Sequence, residues 1–208
     1  MGENLRKKYQ ETAKRYTKKS KIDIDMSEYT SEQPEEEQIA NLEEIDDDFK
    51  KILINVGIDA KQQERSGTYI QKDNAVAFCE TKSDFVEVLP IAVALKKYDW
   101  VQEYYWKAIP VDADRLTAEA ELTENLQGYF IHAKKGAKDI FPLQSCLFLD
   151  IEGMKQIVHN IVIAEEDSEL NLITGCTVHP NVSKALHLGV SEFYLKKNSK
   201  VSFKTKKK

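Results

Sequence analysis

The sequence contains no apolar run of the roughly 20 residues that a membrane helix needs, and charged and polar residues follow Met1 directly. It therefore predicts neither a membrane span nor a signal peptide, which requires an apolar stretch behind its basic residues. Cysteine is scarce, and Cys79, Cys146 and Cys176 lie far apart with no Cys-x-x-Cys pair among them. The scarcity argues against a disulfide framework and predicts a reducing, cytoplasmic compartment.

Several catalytic motifs are missing as well. The sequence has no phosphate-binding glycine loop, no His-Glu-x-x-His and no recognisable Ser-His-Asp arrangement. These motifs supply the phosphate cradle, the metal site or the nucleophile of the common hydrolases. Their absence gives no case for a hydrolase.

What the chain has in abundance is charge, arranged in blocks. Of the 208 residues 31% are charged, and a basic segment over residues 6–21 precedes an acidic one over residues 23–48. The far end is basic again and finishes in Lys206-Lys207-Lys208. Lysine blocks can bind nucleic acids, but no aromatic or glycine pattern accompanies these. We interpret them as a solvated arm and tail, with nucleic-acid binding as the alternative.

The first half of the chain is predicted to be mainly helical. Ile39, Leu42, Ile45, Phe49 and Ile52 recur every three or four residues, which predicts a helix over 35–55. The start signals are Pro34 and the acidic Glu35–Glu37, and the stop signal is Gly57.

The next segment is predicted to mix strand and helix. A strand is expected at Ala75–Phe78, and Ser83-Asp84 is expected to cap a helix that Pro90 delays or kinks. The aromatic stretch Trp100–Trp106 is interpreted as core, and Asp112 or Asp114 is expected to cap a further helix through Leu122. Residues 59–74 are interpreted as a polar connection.

From Gln127 onward the periodicity changes to strand alternation. Strands are predicted at 129–132, 146–149, 157–164, 170–174, 186–195 and 201–203. Three similar turns, centred on Ala137, Ser168 and Ser199, are spaced by 31 residues. A constant period of strands favours a β-solenoid, and an antiparallel sandwich is the alternative. The predicted class is α+β, with an arm over 1–50, an α/β region over 51–126, coils over 127–205 and a tail over 206–208.

Several ordered motifs resemble the SufB/SufD family of iron–sulfur cluster assembly proteins. They are Val56-Gly57-Ile58, Ile109–Asp112 with Gly128–Ile131, Lys135-Gly136 with Ile140–Gln144, His159–Glu166 with Gly175-Cys176-Thr177, and Leu186–Glu192. The resemblance covers about residues 56 to 203, and family members continue with more coils and a C-terminal helical domain. The chain thus resembles the N-terminal part of a member, and the spacing from Cys176 to Pro180 resembles the SufD-like or archaeal branch.

The resemblance implies a fold, a role and partners. The fold would be a helical N-terminal region followed by the first coils of a right-handed parallel β-helix. The role would be that of a non-enzymatic scaffold or accessory subunit with a transient iron–sulfur cluster. The partners would be a SufC-like ATPase and a second SufB/SufD-type subunit in a dimer. A purely structural pairing module without cluster chemistry is the alternative.

Cys176 is the first candidate for this chemistry. A thiolate can accept a persulfide sulfur or bind iron, and Gly175-Cys176 falls at a predicted strand end. His179 and His187 are secondary metal candidates, since Cys-x-x-His is a metal-ligand spacing and His187 matches a family histidine position. Each also has a simpler interpretation, as a loop histidine and a hydrogen-bonded core histidine. Cys79 and Cys146 are interpreted as packing residues, and His132 and His159 as strand residues without partners.

Overall fold

A computed structural model describes residues 3–17, 24–32 and 38–207. Its helices are α1 (Glu3–Lys14), α2 (Asp47–Asn55), α3 (Ile91–Lys97) and α4 (Arg115–Leu122), with two 3-10 helices at Met26–Glu28 and Asp99–Glu103. Its strands are β1 (Gly67–Lys72), β2 (Ala75–Thr81), β3 (Val86–Pro90), β4 (Tyr129–Ala133), β5 (Leu143–Leu149), β6 (Lys155–Ala164), β7 (Glu169–Val178), β8 (Leu186–Leu195) and β9 (Lys200–Lys207). The predicted α+β class is confirmed, and so are all six strands predicted after Gln127.

Some residues used in the sequence predictions lie outside the described ranges. They are Lys18, Lys19, Lys21, Pro34, Glu35–Glu37 and Lys208. At the far end, β9 includes Lys206 and Lys207, which the sequence had placed in a tail. Among the helices of the described residues, none is both long and apolar enough to cross a membrane.

The strands form two sheets with one core cluster between them and a further cluster on the outer face of each. One sheet has the order β2-β1-β5-β7-β9 and the other has the order β3-β4-β6-β8. From β4 onward the chain alternates between the sheets, and every pairing among β4–β9 is parallel. The antiparallel sandwich considered for this part of the chain is therefore wrong. Short antiparallel pairings are confined to β1 with β2 and β3 with β4.

The parallel strands keep a nearly constant register. Phe130 pairs with Ile161 and Ile161 with Glu192, an offset of 31 residues, while Leu143 pairs with Leu172 at 29. The three similar turns lie next to one another. The N–H of Gly136 donates to the Glu166 carbonyl oxygen at 2.8 Å, and that of Asp167 donates to the Lys197 carbonyl oxygen at 3.0 Å. The spacing seen in the sequence thus corresponds to aligned turns.

Each aligned turn contains one residue in the left-handed region. Gly136, Asp167 and Asn198 have φ values of 71°, 60° and 58°. Glycine, aspartate and asparagine tolerate this conformation better than other residues do. The Asn198 side chain also donates to Asp167 at 3.0 Å, and Lys135 pairs with Glu166 at 2.7 Å. Some of the lysines in the turns are thus matched to carboxylates of the adjacent turn.

The helix predicted over 35–55 begins only at Asp47. The Asp46 carboxylate accepts the N–H groups of Asp48 and Phe49, so it is the N-cap. Upstream, Ile39 donates its N–H to the Ala77 carbonyl oxygen of β2, and Leu42 is fully buried without helical structure. The apolar spacing therefore reflects a segment packed on the five-stranded sheet. Gly57, with φ of 85°, follows the C-cap Val56, as predicted.

The helix predicted to follow Ser83 begins later in the structure than the capping signal indicated. Val86–Pro90 form β3, in which Val86 and Val88 are buried, and α3 begins at Ile91. Pro90 takes the N-cap position, since its ring has no N–H for a helical hydrogen bond. The polar connection predicted up to Asn74 contains β1, which pairs with both β2 and β5. Ala75–Phe78 is strand as predicted, and Asp114, rather than Asp112, caps α4.

The described helix α1 packs against α4 far along the chain. Arg6 donates from one Nη to the carbonyl oxygens of Thr123 and Glu124, at 2.7 and 3.1 Å. Tyr9 contacts the ring of Tyr105 edge-on with centroids 5.6 Å apart. The aromatic stretch is core, as predicted: Tyr105 and Trp106 are buried in the cluster that also contains Ala13 of α1.

Candidate functional site

Cys176 lies near the end of β7, a central strand of the five-stranded sheet. It pairs in register with Leu147 of β5 and with Lys207 of β9. Strand alternation puts it on the same face as Leu170 and Leu172, which pack in the core between the sheets. The cysteine is half-buried.

Gly175 packs against the opposite side of the sheet. A Cβ added there would lie 2.6 Å from a Val56 methyl group. Only glycine leaves room for the end of α2 to approach this closely. The packing of Val56 therefore helps to fix the strand segment that carries Cys176.

Cys176 and His187 line one cavity of about 500 Å³. The remaining lining is mostly apolar, with Leu149, Val178 and Val182 among its members. His187 comes from β8 of the other sheet, so the cavity lies where the ends of the two sheets meet. A thiolate and an imidazole are the donors that iron, zinc and copper prefer. The structure brings together two of the three residues singled out in the sequence.

His179 lies at a different place. It lines another cavity with Phe148 and Asp150, and its Nδ1 accepts the Asn181 N–H at 3.2 Å. The Cys176-x-x-His179 spacing therefore does not place both residues in one cavity. Within the described part of the chain, no group of three or more His, Cys, Asp or Glu residues is arranged to hold a metal ion. Cys176 and His187 would supply two ligands at most.

The other two cysteines behave as packing residues, as predicted. Burial, with a smaller contribution from Glu87, raises the pKa of Cys79 to about 12. Burial also raises the pKa of Cys146, which is fully buried under α2. A thiol must lose its proton to act as a nucleophile or ligand. Burial therefore favours the protonated thiol of both residues near neutral pH.

The loop of residues 104–109, here called the aromatic loop, covers a buried polar cluster that the sequence did not predict. His159 Nε2 lies 2.8 Å from Glu192 Oε1, with both side chains buried. The same carboxylate accepts backbone N–H groups from Trp106, Ala108 and Ile109. His159 was interpreted as having no partner, which is wrong. His132 Nε2 lies 3.5 Å from Glu165 without a hydrogen bond.

Burial and hydrogen bonding set the charges of this pair. Burial lowers the pKa of His159 despite the adjacent carboxylate. Burial alone would raise the pKa of Glu192, but hydrogen bonds from His159, Tyr194 and the Ala108 N–H outweigh it, and the pKa is lowered. Glu192 is therefore ionised and His159 neutral in the folded protein near pH 7. The pair fixes the aromatic loop to β8 and lies outside the Cys176 cavity.

The lowered pKa of His159 predicts a pH-dependent stability. The unfolded ring binds a proton near its ordinary pKa of about 6.5, whereas the folded ring does not until a lower pH. The free energy of unfolding should therefore fall as the pH drops below about 6.5, by up to about 1.4 kcal/mol per pH unit. Urea unfolding between pH 5.5 and 8 measures this slope. His159→Phe should make this slope shallower by up to the contribution of one bound proton. The loop substitution His179→Gln should leave the slope unchanged. Equal slopes in all three proteins would contradict the assignment.

Comparison with known proteins places the chain in a family. No family model matches it. It is 44% identical over 185 residues to an iron–sulfur cluster assembly SufBD family protein of Methanothermobacter thermautotrophicus, a match that covers 87% of this chain and 45% of that protein. The chain belongs to the SufBD family. The resemblance found in the sequence motifs is thereby confirmed.

Further relatives agree with this placement. A SufBD family protein of Archaeoglobus fulgidus is 48% identical over 154 residues, covering 74% of this chain and 41% of the relative. The SufB protein of Bacillus subtilis is 25% identical over 178 residues, covering 83% of this chain and 38% of SufB. The chain spans less than half the length of these SufBD relatives.

Proposed function

We propose that this SufBD chain acts in iron–sulfur cluster assembly as a non-enzymatic scaffold or accessory subunit, with Cys176 as the sulfur- or iron-binding group. The observation that supports it most is the shared cavity of Cys176 and His187. The other two thiols are held protonated by burial. The cluster or its sulfur would be transient cargo in this role.

We further propose that the strand pairs from β4 to β9 are coils of a right-handed parallel β-helix. Their alternation between two sheets, the offsets of 31 and 29 residues, and the aligned turns support this. In such a fold each coil packs on its neighbours, and β8 and β9 are the outermost strands described here. Leu195 and Phe203 on these strands are 52% and 43% exposed.

Family membership favours a SufB/SufD-type subunit as a partner. A SufC-like ATPase as the energy source of the assembly follows from the resemblance alone. A pairing module without cluster chemistry is the second candidate function.

Substitution of Cys176 separates the two candidates. In anaerobic reconstitution with ferrous iron, cysteine and a cysteine desulfurase, Cys176→Ser should lose nearly all persulfide sulfur and cluster absorbance, because it lacks the reactive thiol. Mass spectrometry measures the added sulfur, and visible absorption and circular dichroism measure the cluster. Cys79→Ser and Cys146→Ala are the matched controls and should retain both signals.

Two outcomes decide between the candidates. If Cys176→Ser reconstitutes as well as the wild-type protein, the cluster function at this site is wrong. If the variant also retains the oligomeric state of the wild-type protein in analytical ultracentrifugation, the pairing module becomes the better description. Loss of both cluster and persulfide in Cys176→Ser, with retention in the controls, supports the scaffold function.

A further inference from the structure

Gln156 of β6 is a fully buried amide next to the Cys176 cavity. It pairs in register with His187 of β8. Its side-chain nitrogen is directed at two backbone carbonyl oxygens: it makes a short hydrogen bond to that of Asp73 and a 3.4 Å one to that of Phe148. Carbonyl oxygens only accept hydrogen bonds, so the NH₂ group must face them. The orientation of the amide is therefore determined by its surroundings.

Asp73 is itself firmly held. It lies in the turn between β1 and β2 with φ of 49° and is almost completely buried. Its N–H donates to the Phe148 carbonyl oxygen at 2.7 Å, and its carboxylate accepts the N–H groups of Asp150 and Ile151. The turn fixes the carbonyl that binds Gln156, so the amide cannot rotate without leaving buried polar groups unpaired.

The oxygen of the same amide faces His187. Gln156 Oε1 lies 2.8 Å from His187 Nδ1. An amide oxygen is only an acceptor, so Nδ1 must carry the hydrogen. In the neutral ring the lone pair is then on Nε2, because neutral imidazole has one donor and one acceptor nitrogen. The hydrogen bond thus selects one tautomer of a histidine that lines the cavity with Cys176.

We propose that Gln156 is a positioning residue that fixes His187 as the Nδ1–H tautomer, so that Nε2 binds a divalent metal ion together with Cys176. The inference rests on the proposed function of the Cys176 cavity. The ligand class is a cation that accepts both thiolate and imidazole, such as Fe²⁺, Zn²⁺ or Co²⁺. Metal-bound histidines commonly donate their other N–H to a neighbouring acceptor, which orients the ring and sets its tautomer.

The wild-type protein alone tests the tautomer. Long-range ¹H–¹⁵N spectra of protein labelled at histidine distinguish protonated from unprotonated ring nitrogens above the titration range of the ring. His187 should show a protonated Nδ1 and an unprotonated Nε2. His179 is an internal contrast, because its Nδ1 accepts the Asn181 N–H and should be unprotonated. A His187 ring protonated on Nε2 overturns the inference and leaves the Cys176→Ser result untouched.

Substitution of Gln156 tests the metal site. Gln156→Met keeps the size of the side chain and removes the acceptor, so the ring should lose its single tautomer. The affinity for Co²⁺, followed by its thiolate charge-transfer absorption, should fall by about 10- to 100-fold, as is usual when a hydrogen-bond partner of a ligand is removed.

Gln144→Met is the matched control. Gln144 is equally buried, and its partners are Asp59, Arg65 and Thr68. This variant should lose stability and keep the wild-type tautomer and Co²⁺ affinity. Equal Co²⁺ affinity in wild type and Gln156→Met, or an equal loss in both variants, overturns the positioning role. Co²⁺ binding that survives Cys176→Ser counts instead against the proposed function.

Discussion

Replacing Glu192 by leucine is expected to lower the free energy of unfolding by about 3–5 kcal/mol, because buried hydrogen-bond donors lose their charged acceptor at a cost of about 1–3 kcal/mol each. The carboxylate is 1% exposed and accepts N–H groups from the backbone of Trp106 and Ala108. It also accepts from Tyr194 and pairs with His159. Leucine leaves the buried donors of Trp106 and His159 without this acceptor, while Ala108 and Tyr194 keep the Tyr194 hydroxyl and the Tyr104 carbonyl oxygen as partners. Chemical denaturation at pH 7 with tryptophan fluorescence measures the loss.

Two further variants serve as controls for Glu192→Leu. Glu192→Gln keeps one acceptor oxygen and should lose clearly less stability than the leucine variant. Glu169→Gln removes a carboxylate that pairs with Lys200 on the exposed turns, and it should cost less than about 1 kcal/mol. If Glu192→Leu cost no more than Glu169→Gln, the network would not hold the aromatic loop in place.

Replacing Gly128 by alanine is expected to lower the free energy of unfolding by at least about 3 kcal/mol. Its φ is 115°, and backbone conformations that only glycine tolerates cost other residues about 1–3 kcal/mol. An added Cβ would also lie 2.3 Å from the His159 carbonyl oxygen and 2.7 Å from Asn160 Oδ1. The backbone would have to move at the point where β4 meets β6, and the Tyr129 N–H would lose its hydrogen bond to Asn160. Urea denaturation measures the effect.

Gly153→Ala is the control for Gly128→Ala. Gly153 also has a positive φ, 73°, but an added Cβ would meet no atom within 4 Å. Only the conformational cost of about 1–2 kcal/mol should appear. Similar losses in the two variants would show that the close approach of the β4 and β6 backbones does not matter for stability.

The sequence predicted the second half of the fold better than the first. Most of strands β4–β9 are apolar-rich runs between charged turns, and these turns carry residues that tolerate left-handed conformations, so local signals agree with the tertiary structure. Strand β1 was missed because its sequence is polar, yet Thr68 and Gln71 are fully buried. Both lie in the interior because strand β1 has a neighbouring strand on each side, β2 and β5. Polarity alone indicated a loop.

The helix errors have a related cause. Leu42 follows helical spacing, but a segment that covers the outer face of a sheet can bury residues at the same spacing without forming a helix. At residues 83–90 the capping signal at Ser83 indicated a helix, whereas the alternation of Val86 and Val88, both buried, corresponds to strand β3. In each case packing against a distant strand decided the local structure.

The sequence predicted individual residues of the candidate site but not which of them lie close together. Cys176 and His187 were named, and His179 was named as a secondary candidate with a loop histidine as the simpler interpretation, which agrees with its place in another cavity. The period of 31 residues contained the missing information. It places Gln156 beside His187 and Ile161 beside Glu192, two residues along the strand from His159. A period found in the turns can therefore be used to predict neighbours inside the strands.

The packing of α1 against α4 has a consequence for synthesis on the ribosome. Arg6 binds the carbonyl oxygen of Thr123, 117 residues later in the chain. At a translation rate of about 5–20 residues per second, the groups that α1 binds are synthesised on the order of 6 to 20 s after the helix itself. Isolated helices of this length are marginal in water, so α1 acquires stable structure only after α4 has emerged. Helix α1 thus reaches its native contacts well after it has been translated.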